Sequence, residues 1–202
     1  MNSEVQILAD HYQKTFELTL ETWEKRNRTF LLLLVVVGAA TVLTFNVPQA
    51  EPLLVDLVAK LLDIKDGARI KDLRGSFPYG IVQSILLMVI FYLTVVLYHR
   101  TATIQRFYKY LAFLEPEIRQ KLVLGFNSKS FTRESSFYGE HKPFLGRFVA
   151  ASYIGSLGLL LAAFLGARIF ADFSNRNYGV GVADLLVALP TTMFFYAYAR
   201  SS

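Results

Sequence analysis

The stretch Thr29–Val47, TFLLLLVVVGAATVLTFNV, is nineteen residues long and holds no ionisable side chain. As a helix rising 1.5 Å per residue it measures about 28 Å, close to the roughly 30 Å hydrocarbon core of a bilayer. An amphipathic segment of about 25 residues precedes it, which reads against a cleaved signal peptide with its short charged start. Three further apolar runs follow. Pro78–Tyr98 carries one amide, Gln83, near its start; Phe148–Ala171 carries Arg168 close to its end; Tyr178–Ala199 contains Asp184 and Pro190. The chain therefore reads as an all-α integral membrane protein with four transmembrane helices.

Composition agrees. Of 202 residues 53% are hydrophobic and only 18% charged, against about a quarter charged in an average soluble domain. With no cysteine, disulfides and cysteine-based zinc sites are excluded. The net charge of +5 raises the question of nucleic acid, but its placement answers differently. Lys14, Lys25, Arg26 and Arg28 precede the first run, nine Lys and Arg lie between the second and third, and Arg200 closes the fourth. That is fourteen of 21, with KRNR (Lys25–Arg28) directly against the first run. Positive residues collect on the cytoplasmic side, so both termini are expected there, in a multi-pass protein of the inner membrane. The same bias accounts for the basic balance without nucleic acid as a partner.

Working outward gives four segments. Residues 1–28 are expected to form a cytoplasmic amphipathic helix, in which Val5, Leu8, Tyr12, Phe16, Leu20 and Trp23 recur at three- and four-residue steps. The pairs Glu21–Lys25 and Glu24–Arg28 lie four apart and support it. Five acids precede the basic cluster, which favours packing on another cytoplasmic helix over lying on anionic lipid. Residues 29–98 form a first transmembrane hairpin. Its outer loop, 48–77, contains EPLLVDLVAKLLDI (Glu51–Ile64), with Leu53, Leu54, Leu57, Val58, Leu61 and Leu62 on one face. This reads as a helix on the outer membrane boundary, against neighbouring subunits, or re-entering the bilayer.

Residues 99–147 form a cytoplasmic helical extension and loop. Ile104, Phe107, Tyr108, Leu111 and Leu114 continue the stripe until Pro116, where a break or restart is expected. A short helix, Glu117–Leu124, would then end at Gly125. Phe126–Pro143 is a polar, aromatic-studded connection, open to a functional role or to that of a plain connector. Residues 148–202 form a second hairpin.

Ionisable groups in the hydrocarbon are costly and call for a reason. Arg168 and Asp184 either pair, or line a water-filled path between subunits with Gln83 contributing, or snorkel to the interface. Along the third run Gly155 precedes Gly158, Ala162 and Gly166, the last three spaced by four, a small-residue ladder that admits a second helix at close range. Pro190 should kink the fourth run, Thr191 and Thr192 capping the carbonyls that it frees.

Catalytic signatures are missing. There is no HExxH, no GxSxG and no P-loop, and Gly179-Val180-Gly181 lacks the strand that a dinucleotide site needs. His11, His99 and His141 are far apart. No enzymatic activity, metal or cofactor is expected. A transporter is disfavoured by the lack of an internal repeat, and four spans enclose little unless several copies assemble.

The order of an amphipathic helix, the KRNR boundary, a hairpin and HRTATIQRFYKYLAFLEPEIR (His99–Arg119) resembles the SLATT-like two-span effectors of bacterial anti-phage systems, over residues 10 to 122. The outer loop here is longer, a second hairpin follows, and KSFTRESSFYGEHKP (Lys129–Pro143) has no counterpart. The resemblance implies a homo-oligomer that breaches the inner membrane when a cytoplasmic protein partner signals. The alternative is a non-conducting anchor, scaffold or envelope sensor that recruits a soluble effector.

Overall fold

A computed structural model describes residues 3–45, 50–76, 79–124, 128, 130–132, 144–174 and 176–201. The described residues are helical and include no strand. Six helices follow one another: α1 (Ser3–Thr44), α2 (Ala50–Leu61), α3 (Gly67–Ser76), α4 (Tyr79–Lys121), α5 (Phe144–Ser174) and α6 (Tyr178–Ser201). Four of them, α1, α4, α5 and α6, are long and apolar enough to cross a membrane. By length and composition, then, this is a multi-pass membrane protein. α1 and α4 have 42 and 43 residues, about 63 Å each and twice the depth of a hydrocarbon core. The helix expected before the first apolar run is therefore continuous with it.

The chain forms two compact units. The first comprises Met1–Phe30, Val96–Gly155 and Phe195–Ser202. Here α1 and α4 run antiparallel, as their contacts dictate: Lys121 donates to Glu4, Tyr12 Oη to Glu115 at 2.9 Å, and Arg100 Nη1 to Thr29 Oγ1 at 2.5 Å. The Glu4 hydrogen bond holds the Lys121 ammonium above its ordinary pKa. Thr15, Thr19, Thr29 and Thr101 are buried, each hydroxyl donating to the carbonyl four residues back. Short side chains with internally satisfied hydroxyls let the interior close without an orphaned donor. The expected N-terminal stripe is not continuous. Val5 is buried, but Leu20 and Trp23 are exposed, and threonines take the inward positions instead.

Pro116 does not interrupt α4. Ile104, Leu111, Leu114 and Ile118 are all buried on one face, and packing on both sides of the proline outweighs its cost of roughly 3 kcal/mol. The helix stops at a left-handed residue, Val123 (φ 53°), with Leu124 N–H bonded to the Arg119 carbonyl at 3.1 Å. The same ending closes α2 at Asp63 and α5 at Arg176, a Schellman cap made without glycine. The expected stop at Gly125 lies outside the described residues, as does nearly all of the connection 126–143.

The second unit comprises Leu31–Val95 and Ser156–Phe194. Each long helix turns one narrow stripe inward: Leu33, Val37 and Ala40 on α1; Leu87, Ile90 and Thr94 on α4; Leu157, Leu161 and Phe164 on α5; Asp184, Ala188 and Thr191 on α6. The apolar windows of the four long helices are only 22–28% buried, so most of their apolar residues face outward. In the loop between the first two spans, α2 buries Val55 and Ala59. Of the expected face, Val58 is half-buried and Leu62 exposed, while Leu53, Leu54, Leu57 and Leu61 lie outside the described side chains. α3 follows without an apolar stripe to announce it, and Asp66 Oδ1 caps it by accepting from Ala68 N–H at 3.0 Å. Arg74 then joins it to α2 through Asp56 at 2.7 Å.

Candidate functional site

Within the second unit, Arg168 is 4% exposed and becomes the centre of a polar cluster. A guanidinium has five N–H donors on three nitrogens, and here each nitrogen meets an acceptor. Nε donates to Asp184 Oδ2 at 2.8 Å; Nη1 reaches Gln83 Oε1 at 2.6 Å and Asp172 Oδ1 at 3.1 Å. Nη2 reaches the Gly80 carbonyl at 3.2 Å and Ser84 Oγ at 3.1 Å. The acceptors come from three directions. α5 supplies Asp172, one turn on from Arg168; the first turns of α4 supply Gly80, Gln83 and Ser84; the second turn of α6 supplies Asp184.

The periphery is tied down as well. Ser84 Oγ donates to Asp184 Oδ2 at 3.2 Å, and Gln83 Nε2 to the Leu43 carbonyl of α1 at 3.3 Å. Four helices thus share one network around one cation. Burying that cation is tolerable because its charge is opposed and each of its nitrogens is hydrogen-bonded. Near the acidic end, a Cβ on Gly181 would lie 3.3 Å from the Asp172 Cβ and 3.4 Å from the Phe173 ring. The missing side chain there permits the close approach of α6 to the end of α5.

The structure therefore brings Gln83, Arg168 and Asp184 together inside a single chain. Asp172, Ser84 and Gly80 were not singled out from the sequence, and Gly181 only as part of a bare Gly-Val-Gly. Asp172 was within reach of that reading: it stands four residues after Arg168, the spacing of a helical ion pair, but one residue beyond the expected end of the run at Ala171. One carboxylate oxygen has no partner. Asp172 Oδ2 is buried and accepts no hydrogen bond.

The small residues on α5 lie elsewhere. Gly155, Ala162 and Gly166 are exposed and Gly158 is half-buried, and nothing comes within 4 Å of a Cβ placed on Gly155 or Gly166. Described helices of the same chain leave these positions open. On α6 the Thr191 and Thr192 hydroxyls donate to the Val187 and Leu189 carbonyls, and not to the Leu186 carbonyl that Pro190 leaves without its N–H.

The histidines do not converge. His11 bonds Tyr110 Oη at 2.9 Å, His99 is exposed, and His141 lies outside the described residues. Among the described residues no three His, Cys, Asp or Glu side chains are grouped to hold a metal ion. The arrangement around Arg168 can bind helices together, and within it the Ser84 hydroxyl donates to the Asp184 carboxylate. No protein-family model, curated protein or solved structure matches this chain.

Proposed function

We propose that the chain is a multi-pass protein of the inner membrane, with both termini cytoplasmic, whose copies assemble into a channel-like effector. The assembly perturbs membrane permeability when a cytoplasmic protein partner signals. The observation that carries this reading is the outward face of α5. Gly155, Ala162 and Gly166 open onto the surface beside Leu159 and Phe170, which are 73% and 74% exposed. A lipid tail gains nothing from small residues, whereas a second copy of the same helix gains close backbone contact. Exposed Ile7, Leu18 and Phe113 in the first unit suit a protein partner outside the bilayer. The layout shared with SLATT-like effectors points to anti-phage defence.

A second reading has its own support. All three Arg168 nitrogens are hydrogen-bonded within one chain, which removes the most polar residues of the spans from any conduit between copies. That favours a non-conducting anchor, scaffold or envelope sensor. Ion flux from liposomes carrying the purified protein separates the two, with native mass measurement in detergent beside it. Flux from an oligomer supports the effector; an oligomer or monomer without flux under any partner or trigger supports the anchor.

A further inference from the structure

Three ionisable groups meet in the second unit, and their charges do not balance. Arg168, Asp172 and Asp184 are each 4% exposed or less, and two ionised carboxylates against one guanidinium leave a net negative charge away from water. The donors are already distributed. Asp184 Oδ2 receives both Arg168 Nε and Ser84 Oγ; Asp172 has one ion-pair contact, at Oδ1. Asp172 Oδ2 is shut off from solvent with nothing donating to it. An ionised oxygen in that position carries the full penalty of lost hydration.

The surrounding elements offer no second cation. α4 contributes Gly80, Gln83 and Ser84, none of which titrates, and α1 contributes only the Leu43 carbonyl through Gln83. α6 contributes Asp184 and, at its start, the exposed Tyr178; Arg176 in the intervening turn is exposed and forms no ion pair among the described residues. One group facing Asp172 does suit a proton. The Asp184 carboxylate shares the Arg168 guanidinium with it, at 2.8 Å against 3.1 Å for Asp172.

We propose that Asp172 and Asp184 form a proton-binding site, in which Asp172 Oδ2 takes a proton from solvent and donates it towards the Asp184 carboxylate. Binding converts a carboxylate to a carboxylic acid and brings the cluster to neutrality, with every polar atom named above supplied with a partner. A metal ion is the poorer occupant, since it needs several oxygen ligands and would sit against the guanidinium. Release of the proton restores the unopposed charge where α5 meets α6, at the close approach over Gly181, and loosens that hairpin. The site stands independently of whether the assembly conducts.

The experiment uses the full chain purified in detergent. Infrared spectra at neutral pH are expected to contain a protonated-carboxyl stretch that disappears in Asp172→Asn. It should disappear also in Asp184→Asn, where Arg168 and Asp172 balance each other and no proton is needed; this variant decides the matter should Asp172→Asn fail to fold. Thermal stability is then followed from about pH 5 to about pH 9. While the folded chain holds a proton that the unfolded chain has lost, wild-type stability falls as pH rises, by up to about tenfold in the folding constant per pH unit, and it levels off once the folded site empties. Asp172→Asn, whose amide mimics the acid, should be flat over the same range. A spectrum with no such band, a band retained in either variant, a common pH profile for wild type and Asp172→Asn, or stability set by sodium or potassium at constant ionic strength would each overturn the proposal.

Discussion

Arg168 Nε and Asp184 Oδ2 lie 2.8 Å apart across α5 and α6 of one chain. Two charges that the sequence places in separate apolar runs are thereby opposed within a single copy. Because Asp172 also meets Arg168, at 3.1 Å, the cation is shared and the two ends of the pair are not equivalent.

That asymmetry is measurable. Arg168→Ala leaves two buried acids facing each other and should cost about 3–5 kcal/mol of stability. Asp184→Ala leaves Arg168 with Asp172 and should cost less. The double change should recover much of the Arg168→Ala loss. Thermal unfolding of the three variants in detergent gives the coupling, and losses that simply add would exclude the pair.

The open face of α5 predicts a separation between folding and assembly. Ala162→Leu and Gly166→Leu place bulk where the chain itself has none, so each should keep the helical signal and the melting temperature of the detergent-solubilised chain. Native mass spectrometry should nonetheless show a smaller assembly than wild type. An unchanged copy number in both variants would remove this face from the interface.

Gly181 and Gly179 should respond oppositely to enlargement. A Cβ at Gly181 meets the Asp172 Cβ at 3.3 Å, whereas nothing lies within 4 Å of one at Gly179. Gly181→Leu should lose about 1–3 kcal/mol by overpacking. Gly179→Ala should be neutral or gain up to about 1 kcal/mol. Melting temperatures that fall equally would show that the close approach is not the reason for Gly181.

Reporter fusions test the orientation. Fusions after Ser202 and within 126–143 should report cytoplasm, and fusions near Gly67 and Asn175 the outer side. A cytoplasmic signal from the Gly67 fusion would overturn the assignment drawn from the lysine and arginine bias.

Local composition was enough to find the long helices, because an uninterrupted apolar run of about twenty residues constrains its own backbone and its own surroundings. It found Arg168, Gln83 and Asp184 for the same reason, since a polar group in such a run is conspicuous. Helix continuity was less legible. Pro116 reads as a break from its own chemistry, and only the burial of Leu111, Leu114 and Ile118 around it carries the helix through. The burial of Val55 and Ala59 on α2 depends in the same way on what stands opposite.

The sharing of Arg168 was beyond any linear reading. Asp172 is a turn away, Asp184 is sixteen residues on, and Gln83 and Ser84 are more than eighty residues back. Spacing along one helix reveals the first partner alone. The others are set by which faces of four helices turn towards a common point, and the carboxylate oxygen left without a donor emerges only once the contacts at that point have been assigned, because hydrogen bonds and charges are satisfied through space and not along the chain.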